Sequence, residues 1–270
     1  MVIIDQLREL SRLRLSARSI VTIGTFDGVH LGHRYLLNRV ISQAKQKNLN
    51  SILITFDQHP AEFLNPNTGV TILSSLAEKK YLLSELKPDY LVFLPFENIF
   101  NCTPELFIHD TLLSLCKLQK LIVGEDFHFG KHRLGNVDML KQLSTINNFE
   151  LEVLFRIKNS SDFISSSLVR NLIKKGELNK ANSVLGYNYL VQGVVCESKD
   201  KVTQVAIKNT NKLLPEFGLY EVKIINFSEN FQANLYKAEI RDGWQVISLR
   251  GNLPTFGLSS NIQLEFLNKK

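Results

Sequence analysis

Two histidines three residues apart, His30 and His33, close the stretch Gly24-Thr-Phe-Asp-Gly-Val-His-Leu-Gly-His33. The stretch runs from a short apolar segment straight into a long helical pattern. Gly24, Gly28 and Gly32 let the backbone turn tightly and come close to a ligand. A helix start offers unpaired N–H groups and the positive end of a dipole, which together bind an anion. At a spacing of three, both imidazoles fall on one face of that helix. Two protonatable donors aimed at a phosphate suit a transition state whose charge is spread over its oxygens. Zinc is the competing use of paired histidines, but it favours a spacing of four with a third ligand close by, and none is evident in the sequence. The glycine pattern also differs from the GxGxxG of dinucleotide enzymes.

The surrounding pattern must hold that loop in place. Ser19 to Gly24, Ser51 to Phe56, Tyr90 to Leu94, Lys120 to Gly124 and Glu150 to Phe155 are short runs of consecutive apolar residues. Such runs are expected of strands buried on both faces of a parallel sheet. Helices are expected between them: Leu31 to Lys47, Ser75 to Leu86 with the capping-box pair Ser75 and Glu78, and one opened by Thr103 and Pro104 that runs to Leu115. Alternation of this kind predicts an α/β fold with a doubly wound parallel sheet, whose ligands bind beyond the carboxyl ends of the strands. His30 and His33 are then expected to point into an open crevice there.

Past residue 187 the texture changes. Tyr189 to Cys196, Lys201 to Ile207, Gly218 to Ile225, Leu235 to Glu239, Trp244 to Leu249 and Ile262 to Leu267 alternate polar and apolar residues. That pattern predicts a small antiparallel β-barrel over 188–270, after an α/β domain over 1–187.

The string GTFDGVHLGH carries the HxGH pattern of the nucleotidyltransferase superfamily, and it resembles the prokaryotic FAD synthetase family. The usual form of that family joins an FMN adenylyltransferase to a riboflavin kinase. The resemblance implies transfer of AMP from ATP to the phosphate of FMN, giving FAD and pyrophosphate. His30 and His33 would hold the ATP phosphates and stabilise the α-phosphorus, with no covalent enzyme intermediate. Three further segments match the family in order. Thr55-Phe-Asp-Gln-His-Pro60 is similar to TFxPHP, with Gln58 in place of a proline, and implies Phe56, His59 and Pro60 as part of the flavin site. Val123-Gly-Glu-Asp-Phe-His-Phe-Gly130 resembles VGxNFxFG, and implies that Asp126 contacts substrate or a phosphate-bound Mg²⁺. Ile164-Ser-Ser-Ser-Leu-Val-Arg170 resembles ISSTxxR and opens another helix that ends near Gly176. It implies that Ser165, Ser166, Ser167 and Arg170, with Gly24, Phe26 and Gly32, bind the ATP.

The barrel resembles the family's kinase module in part. Asn188 to Val195 and Leu213 to Val222 match two of its strands, and Leu258 to Leu267 is similar to its closing strand. Where the family carries a glycine-rich stretch and PTAN, Glu197 to Asn209 reads ESKDKVTQVAIKN, without glycine or a proline-threonine pair. Glu239 is the one candidate for the family's catalytic glutamate, and the sequence ends at Lys270, ahead of the C-terminal helix the module usually adds. The expectation is a kinase-like barrel without kinase activity. The alternatives are a bifunctional enzyme, a nucleotidyltransferase with a pantetheine-phosphate or nicotinamide-mononucleotide acceptor, and a non-catalytic flavin or nucleotide sensor.

Composition sets the remaining bounds. The net charge of +6 is dispersed, with no arginine-rich arm, so a nucleic-acid partner is not expected. No apolar run is long enough for a membrane helix, and the charged N-terminus is unlike a secretory signal. Cys102, Cys116 and Cys196 show no metal or disulfide spacing, which favours a reducing, cytoplasmic setting. Oligomeric state is left open.

Overall fold

The computed structural model describes residues 1–6, 9, 15, 17–64, 70–159, 162–199, 202–225, 235–240, 246–251 and 256–270. Arg8, Arg12 and Arg14 of the N-terminal segment lie outside the described residues. So do Lys201 and Trp244, with which two expected strands began.

Packing divides the chain into two units, 1–70 with 80–163 and 71–79 with 164–270. The first is built on six parallel strands: β1 (Val2–Ile4), β2 (Ser19–Ile23), β3 (Asn50–Phe56), β4 (Tyr90–Leu94), β5 (Leu118–Gly124) and β6 (Glu150–Leu154). Their order in the sheet is β1-β4-β3-β2-β5-β6. β2 is buried along its whole length, as its unbroken apolar run required. The helix Leu31–Lys47 returns the chain from β2 to β3 and seals the sheet with Leu37, Val40 and Ala44. Asn48, left-handed at φ 53, ends it.

From β2 the chain winds outward through β3 and β4, then crosses back to β5 and β6 on the other side. The order therefore reverses between β2 and β5, which is where a doubly wound sheet opens its crevice. The helix expected from Thr103 is present, with Thr103 capping Leu106, but beyond Leu106 it widens into a π-helix over Phe107–Leu115. The strand β1 and the helices Val137–Asn147 and Leu178–Leu185 were not expected from the sequence. A two-stranded ribbon, β7 (Lys158–Asn159) with β8 (Asp162–Phe163), follows β6.

The second unit is a closed antiparallel barrel of β9 (Tyr189–Lys199), β10 (Val202–Ala206), β11 (Gly218–Ile225), β12 (Leu235–Ile240), β13 (Val246–Arg250) and β14 (Asn261–Lys269). Alternating burial along β11, with Tyr220, Val222 and Ile224 inside, is the period-two pattern of the sequence made physical. The helices Ser166–Lys174 and Leu178–Leu185 pack with this barrel. Asn182 fastens the latter: its Nδ2 donates to the Phe266 carbonyl at 3.0 Å, and its Oδ1 accepts from the Tyr189 amide at 2.9 Å. Among the described residues no helix is long and apolar enough to cross a membrane.

Candidate functional site

At the carboxyl edge of the parallel sheet, three of the four sequence segments come side by side. The segment Gly24–His30 leaves the central strand β2, Asp57–Pro60 leaves its neighbour β3, and Glu125–Gly130 leaves its other neighbour β5. The edges are stitched together beyond the strands. The Gly24 amide donates to the Ile54 carbonyl at 3.1 Å, and Thr55 Oγ1 donates to the Thr25 carbonyl at 3.2 Å. Similarly, Asp57 N–H reaches the Leu94 carbonyl at 3.1 Å, and Glu125 N–H the Leu154 carbonyl at 3.0 Å.

The central segment holds unusual backbone. Phe26, Gly28 and Val29 all have positive φ, at 47°, 80° and 37°. Glycine reaches that region without penalty, but a bulky aromatic and a β-branched residue do not. Residues held so cost of order 1–3 kcal/mol each and cluster at functional sites. The strain is contained because both side chains are buried, Phe26 folded against the end of β2. A Cβ at Gly24 would lie 2.8 Å from the Phe26 ring, so only glycine fits beneath it.

His30 is the N-cap of Leu31–Lys47, and its Nδ1 accepts the His33 backbone N–H at 3.3 Å. An accepting Nδ1 places the proton of the neutral ring on Nε2. The His33 ring stacks on that of His30, centroids 3.6 Å apart and 15° from parallel, while Phe26 meets His33 edge-on at 5.3 Å. His30 is only 5% exposed. The expectation that both histidines project into an open crevice therefore fails for His30, because a capping imidazole must fold back over its own helix.

His59 uses the same device. Its Nδ1 accepts the Ala61 amide at 3.1 Å at the start of the short helix Pro60–Leu64. Around Phe56 the structure gathers aromatic side chains that the sequence reading did not select. Phe96 lies edge-on to both Phe56 and Phe63, at 5.2 and 5.4 Å, and Phe63 is 5.5 Å from Phe100. The signal was present as Phe96 and Phe100, four apart in one helical turn directly beyond β4. On the β5 side, Phe127 stacks on Phe129 at 5.5 Å, and the exposed Asp126 sets its Oδ1 over Gly124.

Ser165, Ser166, Ser167 and Arg170 belong to the second unit. Ser165 caps its helix by accepting the Leu168 amide at 3.2 Å, and Ser166 opens the first turn. Arg170 Nε donates to the Thr71 carbonyl at 2.9 Å.

Known proteins match this chain along most of its length. The family model described as FAD synthetase matches residues 13–168. The bifunctional riboflavin kinase/FMN adenylyltransferase of Listeria monocytogenes is 31% identical, over 82% of this chain and 71% of the relative. The protein of that name from Haemophilus influenzae is 30% identical, over 92% of this chain and 84% of its own. A crystal structure titled a macrolide-efflux protein, from Streptococcus pneumoniae, superposes with a TM-score of 0.81. It covers 100% of this chain and 90% of that one at 19% identity, a likeness of fold alone.

Proposed function

Because this chain belongs to the FAD synthetase family, we propose that it transfers AMP from ATP to the phosphate of FMN, releasing FAD and pyrophosphate. The observation that carries the reading is the stacked, helix-capping His30–His33 pair at the reversal of strand order, flanked by the loops after β3 and β5.

In the reaction a phosphate oxygen of FMN attacks the α-phosphorus of ATP, and the bond from that phosphorus to the bridging oxygen of pyrophosphate breaks. The protein supplies position and charge rather than a nucleophile. His33 and His30 donate to the phosphates, and the start of Leu31–Lys47 adds its backbone amides and dipole. Gly24, Phe26 and Gly32 shape the floor on which the nucleotide lies. Ser165, Ser166, Ser167 and Arg170 complete the ATP contacts, the guanidinium by its planar fork. Phe56, His59 and Pro60 form the flavin side with Asp126, and the half-buried rings of Phe63, Phe96 and Phe100 extend an apolar wall suited to a flat heterocycle.

Among the described residues no three His, Cys, Asp or Glu side chains converge as metal ligands. A Mg²⁺ ion arriving with ATP would have Asp126, an exposed carboxylate beside Gly124, as its protein ligand. When bound, the ion neutralises charge on the departing pyrophosphate. We assign the work to the cytoplasm, where ATP is at hand and the free Cys102, Cys116 and Cys196 stay reduced. The catalytic assignment spans 1–187, taking the Ser165–Arg170 segment with the α/β sheet although its helix packs with the barrel.

The same reading denies the barrel a riboflavin kinase activity. The described residues of Glu197 to Asn209 run mainly as a ladder, Val202 opposite Lys199 and Gln204 opposite Glu197, and no glycine opens a backbone cradle for phosphate. Glu239 is engaged by Arg250 at 2.7 Å.

The test is the fate of label. Incubation with FMN and ATP labelled at the α-phosphate should move the label into flavin and leave none on protein. Label retained on denatured protein would overturn the direct-displacement reading.

A further inference from the structure

We propose that Lys212 and Glu78 are positioning residues for Arg170, and that fastening them is what the barrel contributes to the adenylyl transfer. The inference rests on the reading of Arg170 as an ATP-phosphate ligand.

The segment 71–79 leaves the α/β part of the chain and packs with the barrel. At its start the Thr71 carbonyl accepts from Arg170 Nε at 2.9 Å. The next residue is fixed to the barrel on both sides of its peptide: Ile72 N–H donates to the Asn211 carbonyl at 2.8 Å, and the Leu213 N–H donates to the Ile72 carbonyl at 2.9 Å. Between those two barrel residues stands Lys212. Its ammonium donates to the Leu73 carbonyl at 2.5 Å, to Glu78 Oε2 at 2.7 Å and to the Leu190 carbonyl at 2.7 Å. It also sits 4.2 Å above the Tyr189 ring, whose hydroxyl donates to the Leu213 carbonyl at 2.8 Å. Glu78 is equally committed. Its Oε2 accepts the Ser75 amide at 2.8 Å and its Oε1 the Gln192 amide of β9 at 2.7 Å.

Both side chains are 1% exposed. Burying two charges costs more than an apolar pair of the same volume would, so such a pair is poor evidence of stability and better evidence of register. Here every donor of the ammonium meets an acceptor, and its acceptors come from the strap 71–79 and from β9. These bonds tie the strap to the barrel at Ile72, Leu73 and Glu78, and with it the adjoining Thr71 carbonyl. That carbonyl engages Nε, so it sets the plane of the Arg170 guanidinium, on which bidentate phosphate recognition depends. The helix that carries Arg170 is followed by one that the barrel holds through Asn182. Side chain and backbone of Arg170 are therefore both referred to the barrel, a duty that needs no kinase site.

The test is a double-mutant cycle in the full-length chain, with ATP binding and FMN binding measured separately by calorimetry. Lys212→Met and Glu78→Gln should each weaken ATP binding on the order of tenfold, with FMN affinity unchanged. In an Arg170→Ala background the same substitutions should add nothing. Glu78→Gln keeps an acceptor for a backbone amide and carries the cycle if Lys212→Met does not fold, which near-ultraviolet circular dichroism reports. Additive losses, or wild-type ATP affinity in a folded Lys212→Met or Glu78→Gln, would overturn the inference while leaving Arg170 as a ligand. Wild-type ATP affinity in Arg170→Ala would remove the reading beneath it as well.

Discussion

His30 and His33 share one short stretch of chain but differ in what their loss should do. His33 stacks on its neighbour without capping the helix, so His33→Ala should remove one preorganised donor to the developing phosphate charge. That costs about 3 kcal/mol in the transition state, on the order of a hundredfold in rate. Its melting temperature should stay near the wild-type value. His30 is the N-cap and is buried, and in the proposed reading also donates to phosphate, so His30→Ala should lose rate and also about 1 kcal/mol of stability. In a chain of this size that amounts to a fall of about 2–4 °C. Steady-state kinetics beside thermal melts separate the two; equal stability losses in both variants would contradict the capping assignment. Arg170→Ala should weaken ATP binding more than FMN binding, and Arg170→Lys should recover only part of it, because an ammonium lacks the fork.

The elements that carry these residues depend on a sheet edge that is charged. Glu152 of β6 accepts from Lys120 of β5 and, on Leu31–Lys47, from Arg39 at 2.8 Å and Gln43 at 2.9 Å. Partial burial alone would raise its carboxyl, but hydrogen bonds from Lys120, Gln43 and Arg39 outweigh it and pull it down to about 2. A depressed carboxylate stabilises the fold at pH above its ordinary value near 4.5, and that contribution is lost as pH falls toward 2. Denaturant midpoints of wild type and Glu152→Gln should therefore differ most at neutral pH and converge between about pH 4.5 and 2. A gap that widens on acidification would contradict the assignment. Several of these elements were legible from apolar spacing or from a cap. Leu31–Lys47 and Tyr90–Leu94 follow directly from their apolar spacing, and the Ser75–Glu78 capping box forms as read. The three-residue β1 was not legible because it is too short to show a period. No local sequence pattern marks the widening of the helix beyond Leu106. The sequence offers Glu78 only as a cap; its partner Lys212 lies more than a hundred residues away, and nothing in the intervening sequence joins them.

At the scale of the whole molecule, the two units answer different questions. The α/β unit carries three of the four motif loops at one edge of its sheet, and they were legible in sequence because each directly follows an apolar strand. In the proposed reading the barrel keeps its strands without a kinase site, since alternation and turns specify the fold while a few loop residues specify reactivity. Riboflavin and ATP should therefore yield no FMN under conditions in which FMN and ATP yield FAD. FMN formed at a comparable rate would restore the bifunctional reading. The most direct measurement offers the purified protein ATP, Mg²⁺ and an equimolar mixture of FMN, nicotinamide mononucleotide and phosphopantetheine, with the products separated by chromatography. FAD is expected as the sole adenylylated product, formed with one pyrophosphate per flavin; adenylylation of either other acceptor in preference to FMN, or of none, would contradict an FMN adenylyltransferase.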